Sequence, residues 1–268
     1  MSVLWIEDEG ASDHKNIAID WILHEEKLER VKDLSLFYPC SGYDIYTPIE
    51  IFSPYITDFW FVDRGYFSSG HQDTAGLGWD IPADRQSPVL SADKRYKFLG
   101  RKIKGSPNWD PENKDIEPCV SSETYCHIQS GREIRVHRRR GYGFSAFRNE
   151  QSIGKLGVFF YRGDSSGEGG SGNLWLGEDH LEEVFSKLID GGLLVLDGSD
   201  GSPMKREKIG IYSEICKYAW QNTSLTPEEL IASMKSVTDG KGRNYHCVGY
   251  AGKRYGPTMI WQVYKNAR

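Results

Sequence analysis

The stretch Leu34-Ser-Leu-Phe-Tyr-Pro-Cys-Ser-Gly-Tyr-Asp44 constrains this chain more than any other. Residues 34–38 are apolar or strand-tolerant, and Pro39 breaks the run at once. A short apolar run stopped by proline and glycine fits a strand buried on both faces. Gly42 permits a tight turn. Thr47-Pro48 then offers a helix start, with threonine as N-cap and proline at the first helical position. The order strand, glycine turn, helix is the opening unit of an α/β sheet. A second strand, Asp58-Phe-Trp-Phe-Val62, follows and ends on Asp63, 21 residues after Gly42. In nucleotide-binding sheets an acidic residue about 20 residues past the glycine turn accepts hydrogen bonds from a ribose hydroxyl.

Further strands and helices follow in the same pattern. Ser12 or Asp13 can cap a helix reaching about residue 32, with Ile17, Trp21, His24, Leu28 and Val31 as its apolar stripe. Residues 64–118 hold glycine, proline and isolated aromatics, with one strand candidate at 95–99. A hairpin comes next: residues 123–128 and 133–137 alternate around a Gln-Ser-Gly-Arg turn. Its second strand runs into Arg138, Arg139 and Arg140, beside Tyr142 and Phe144. Two readings fit: a solvated basic edge strand, which is favoured, or an anion- or nucleic-acid-binding ridge. Residues 156–161 form a buried-strand run that opens into a loop from Arg162 to Gly172, with Asp164, Ser165, Gly167, Gly169 and Gly170. Successive backbone N–H groups in such a loop can form an anion nest. The loop lacks the Gly-Lys-Ser/Thr ending of an ATPase phosphate loop. A helix over about 178–189 ends at Asp190-Gly-Gly192, and residues 193–196 read as the next strand. An amphipathic segment covers 209–220. Thr226 caps a helix, with Glu229 as capping-box partner, and two closing strands lie at 245–250 and 258–264.

Composition narrows the class. With 268 residues the chain is one large domain, and residues 64–150 read as an insertion or elaborated segment carrying the basic hairpin. A net charge of −5 argues against wholesale coating of nucleic acid. No stretch approaches a membrane span, and the first residues lack a basic-then-apolar leader pattern, so a soluble cytoplasmic protein is expected. The five cysteines (40, 119, 126, 216 and 247) form no C-x-x-C pair and read as reduced thiols. Cys119, Cys126 and His127 match no standard zinc spacing, so no metal is expected. Cys40, just past a strand end, is a minor candidate nucleophile.

Taken together, the order of elements resembles the class I S-adenosylmethionine (SAM)-dependent methyltransferase fold over roughly residues 12–63 and 153–265. The residues that carry the resemblance are Gly42, Asp63, Asp164, the Gly191-Gly192 pair and the closing strand pair. The resemblance implies a Rossmann-like, mainly parallel sheet flanked by helices, with a C-terminal antiparallel pair and an inserted β-hairpin region. Of the family's first glycine motif the chain keeps Gly42, while Tyr38 stands where the leading acid would be. The resemblance further implies SAM or a related adenosine ligand held by Cys40, Ser41, Gly42, Asp44 and Asp63, with Asp164 as the catalytic or acceptor-contacting group. Arg138, Arg139, Arg140 and the Ser165–Gly170 loop would meet an anionic substrate. The alternatives are a non-catalytic nucleotide-binding module and a nucleic-acid-binding protein built on the basic hairpin.

Overall fold

The computed structural model describes residues 21–24, 28–42, 44–67, 83–106, 116–150, 153–162, 178–196, 224–253 and 257–265. All eleven strands among them join one sheet. In chain order they are β1 (Ile22–Leu23), β2 (Ser35–Pro39), β3 (Asp58–Asp63), β4 (Tyr96–Lys104), β5 (Val120–His127), β6 (Glu133–Arg140), β7 (Leu156–Tyr161), β8 (Leu188–Leu196), β9 (Val237–Thr238), β10 (Asn244–Lys253) and β11 (Pro257–Tyr264). Across the sheet the order is β1-β10-β11-β8-β7-β2-β3-β6-β5-β4, with β9 beside β10. Four short helices lie among the described residues: α1 (Tyr46–Phe52), α2 (Gly143–Asn149), α3 (Glu178–Lys187) and α4 (Pro227–Ser233).

This corrects the expected architecture. Six of the ten strand pairings are antiparallel: β1–β10, β10–β11, β9–β10, β8–β11, β4–β5 and β5–β6. Parallel pairing is confined to the centre, β8-β7-β2-β3-β6. The sheet is mixed and mostly antiparallel, not a mainly parallel Rossmann-like sheet under a full helical cover, and the methyltransferase-fold resemblance fails on it. The reason lies in the apolar runs. A run such as residues 156–161 reports burial on both faces and says nothing about the direction of its neighbours.

Local readings shift for equally physical reasons. Within the stretch read as one helix to residue 32, the described residues form β1 and a 3-10 turn, Glu29–Val31. Asp190, Gly191 and Gly192 lie inside β8 rather than ending a helix. Gly191 has φ +75°, and a Cβ there would meet the Arg30 side chain at 2.8 Å, so this bend in the strand needs glycine. α1 starts at Tyr46, and Thr47 is not its cap; its hydroxyl accepts from Arg162 instead. Thr226 does cap α4, in a reciprocal capping box with Glu229.

The centre of the sheet is buried on both faces. On one side Leu36, Tyr38, Phe59, Phe61 and Phe160 pack with Ile49 and Phe52 of α1. On the other, Phe37, Val62, Phe159 and Tyr161 pack with Phe147 of α2 and Val184 of α3. β6 lies between β3 and β5, so the arginine-bearing strand is not an edge; β4 is. That overturns the edge-protection reading of the arginine run. The first strand of the parallel centre, β2, has β3 on one side and β7 on the other. Chain connections diverge there, and open α/β sheets take ligands at the carboxyl ends of strands at such a point.

Candidate ligand site at the strand ends

Beyond β2 the chain turns sharply. Cys40 adopts φ +52° and Gly42 φ +51°. A left-handed cysteine is uncommon, and such conformations persist only where surrounding contacts enforce them. Here the contacts come from the end of β3. Ser41 N–H donates to the Val62 carbonyl at 3.1 Å, and Gly42 N–H donates to Asp63 Oδ2 at 3.1 Å. Gly65 N–H donates to the other Asp63 oxygen at 2.8 Å. Tyr66 hydroxyl lies 2.8 Å from Ser41 Oγ and 2.5 Å from the Gly42 carbonyl oxygen. Burial, reinforced by the Asp63 charge, pushes the Tyr66 phenol far above its ordinary range, so it stays protonated. The result is a laced pair of turns with the Asp63 carboxylate, half-buried, fixed between two backbone donors.

The structure thus brings Cys40, Ser41, Gly42 and Asp63 together. It gives Asp44 a different job. Arg162 Nε and Nη2 reach the two Asp44 oxygens at 2.6 and 2.7 Å, and Tyr38 hydroxyl donates to Asp44 Oδ2 at 3.0 Å. Arg162 also donates to Thr47 Oγ1 and to the Ala251 carbonyl, both at 2.8 Å. Both partners are at least nine-tenths buried, so this is an internal tie between α1, β7 and β10. Arg162 and Tyr66 were missed by sequence reasoning. Arg162 sits 118 residues from Asp44, and a charge ending an apolar run reads only as a boundary. Asp164, Ser165, Gly167, Gly169 and Gly170 lie outside the described residues, as does the 209–220 segment.

The arginine run turns inward. Arg138 Nη2 donates to Glu123 Oε1 at 2.9 Å, and its guanidinium lies 5.3 Å from the Phe67 ring centre. Arg139 pairs with Glu150. Arg140 donates to the Phe67 carbonyl at 3.5 Å, and burial lowers its pKa. Glu123 is the acid that organises this corner, and sequence reasoning missed it too. Cys126 and His127, consecutive on β5, point to opposite faces, and no group of three or more metal-ligating side chains occurs among the described residues.

A second polar group lies at the opposite, amino end of β3. Asp58 Oδ2 accepts from Arg135 at 2.7 Å, and Oδ1 lies 3.4 Å from His137 Nε2. His137 Nδ1 is 2.8 Å from Ser122 Oγ, and its ring stacks on Trp60 with centres 4.1 Å apart. Burial raises the Asp58 pKa, but the hydrogen bonds from His137 and Arg135 outweigh it and hold the carboxyl below its ordinary 3.8. A depressed folded-state pKa contributes stability that is present above the unfolded value and lost as the pH falls through the folded one. Asp58→Asn should therefore flatten the fall in Tm between about pH 5 and pH 3. Parallel acid limbs for variant and parent, measured by thermal unfolding, would refute this.

No helix among the described residues is long and apolar enough to cross a membrane. Compared with known proteins, the chain matches no family model, no curated protein and no solved structure.

Proposed function

We propose that the paired turns at the carboxyl ends of β2 and β3 bind SAM or a related adenosine ligand, with Asp63 receiving the ribose hydroxyls. The observation that carries this reading is the hydrogen bond from Gly42 N–H to Asp63 Oδ2. It joins a glycine turn and a strand-end acid at the point where the parallel centre of the sheet diverges, the place where open α/β sheets take ligands. The carboxylate is oriented before any ligand arrives, which lowers the ordering cost of binding. The half-buried setting of Asp63 adds support, because a hydroxyl-to-carboxylate bond is stronger away from bulk water.

SAM, when bound, supplies an electrophilic methyl group; this chain's own contribution is to fix the ribose end. Methyl transfer is the activity that goes with that ligand. A non-catalytic adenosine-binding module is the same site without an acceptor. We also propose a cytoplasmic location, on the scattered thiols: the described cysteines 40, 119, 126 and 247 form no disulfide. Nucleic-acid binding by the arginine run is not put forward, because Arg138 and Arg139 already hold carboxylate partners within the chain.

A calorimetric and thermal-shift titration with SAM, S-adenosylhomocysteine, NAD and simple nucleotides tests the reading. A ligand at 100 times its Kd adds about 2.7 kcal/mol of stability. Asp63→Asn should weaken the bound ligand by about ten- to a hundredfold, the range of a charge-assisted hydrogen bond. No response to any adenosine ligand, or equal affinity in the folded Asp63→Asn variant, would end the proposal.

A further inference from the structure

Ser122 of β5, His137 of β6 and Asp58 of β3 share one face of the sheet. Ser122 and His137 are direct cross-strand partners. Trp60 is the partner of His137 on β3, and Asp58, two residues before it, points to the same side. His137 touches both of the others: Nδ1 is 2.8 Å from Ser122 Oγ, and Nε2 is 3.4 Å from Asp58 Oδ1. A hydroxyl, an imidazole and a carboxylate in that order are the arrangement that activates a serine as a nucleophile.

The direction of the two hydrogen bonds follows from Asp58. Its carboxyl is held below the ordinary range, so it is ionised and can only accept. The His137 proton therefore sits on Nε2, and Nδ1 carries the lone pair. Ser122 Oγ–H then donates to Nδ1, which places the imidazole to take the serine proton. Arg135 and Thr57 donate to Asp58 Oδ2 at 2.7 and 3.1 Å, leaving Oδ1 for the histidine. The stack on Trp60 fixes the imidazole plane. The His137 side chain is 11% exposed and Asp58 16%, so the base is shielded, whereas Ser122 is only half-buried. Ser121, on the other face of β5, is 0% exposed and shows what a packed serine looks like here. The floor beside Ser122 is open. Thr124 lies on the same side of β5, its β4 partner is Gly100, and a Cβ at Gly100 would meet nothing within 4 Å among the described residues. Lys102 is the β4 partner of Ser122, with Cβ atoms about 5 Å apart in such pairs, and its ammonium can reach an oxyanion formed at the serine.

We propose that Ser122 is a nucleophile that cleaves small carboxylic esters, with His137 as general base and Asp58 as positioning residue. The Ser122 oxygen bonds to the ester carbonyl carbon as its proton passes to His137 Nδ1. The bond from that carbon to the alcohol oxygen breaks, and the alcohol leaves with the proton. Water then adds to the acyl-serine, giving its proton to His137; the carboxylic acid departs and the proton returns to Ser122. The site shares no residue with the adenosine reading and is independent of it.

The test treats the full chain with p-nitrophenyl acetate, followed by nitrophenolate absorbance, and with a fluorophosphonate, followed by mass spectrometry of the labelled peptide. The expected result is ester turnover and one phosphonate, on Ser122. Ser122→Ala removes a single hydroxyl; it should keep the parental Tm and lose both signals. His137→Gln should slow acylation by roughly a hundredfold, the lower end of what a positioned base contributes. Asp58→Asn tests positioning. Its amide can donate to Nε2, which moves the imidazole proton to Nδ1 and leaves Ser122 without an acceptor for its own. Histidine ¹⁵N NMR should therefore show Nε2–H in the parent and Nδ1–H in the variant, with acylation falling alongside. An Asp58 that only supports the fold would leave the tautomer as it is. Asp63→Asn should label as the parent does. A folded parent that takes no label on Ser122, a folded Ser122→Ala variant with parental turnover, or an Asp58→Asn variant with the parental tautomer overturns the proposal.

Discussion

Glu123→Ala should cost about 3–5 kcal/mol of folding stability, the range seen when one member of a buried ion pair is removed. Glu123 is 0% exposed. Its carboxylate accepts from Arg101 Nε at 3.0 Å, Arg138 Nη2 at 2.9 Å, the Val89 N–H at 2.9 Å and the Tyr125 hydroxyl. Four donors from β4, β5, β6 and the segment before β4 converge on one side chain. Without it, two guanidinium groups share a site with no countercharge, and a backbone N–H and a phenol lose their acceptor. Arg101 also donates to the Ala83 and Gln86 carbonyls at 2.8 Å, so the loss should spread to residues 83–90. Urea unfolding followed by circular dichroism gives the magnitude, and limited proteolysis should show earlier cleavage in residues 83–90. A loss below about 1 kcal/mol, the level of an exposed ion pair, would show that water reaches this acid.

The second large effect belongs to the Asp44–Arg162 tie. Each of Asp44→Leu and Arg162→Met should cost about 3–5 kcal/mol, because each leaves the other charge buried and uncompensated. The double variant should recover most of that loss, since replacing both charges by apolar groups of similar volume is often close to neutral. The comparison is a double-mutant cycle on unfolding free energies. Additive single effects would mean that the pair is not coupled, despite contacts of 2.6 and 2.7 Å. The cycle also separates framework from ligand site: the double variant should keep the Gly42–Asp63 contact and with it the adenosine-ligand response.

The sequence by itself determined the pieces whose physics is local. The runs at 35–39, 58–63 and 156–161 are strands because a short apolar stretch bounded by proline, glycine or aspartate can bury both faces only in the middle of a sheet. The α4 start was legible because a capping box closes within three residues. Gly42 and Asp63 could be paired from their spacing because adjacent parallel strands bring consecutive carboxyl ends side by side. Tertiary structure decided what depends on distant partners. The direction of the flanking strands, and so the mostly antiparallel sheet, follows from which edges find each other, and an apolar run carries no sign of that. Asp190-Gly-Gly192 looks like a helix stop until β11 pairs with the same residues, at Val263↔Gly192. Arg138 reads as a surface charge until β5 places Glu123 within reach, and Asp44 reads as a ligand group until a residue 118 positions away neutralises it. Burial of charge is a property of the assembled layers, and only the fold assigns each buried charge its partner.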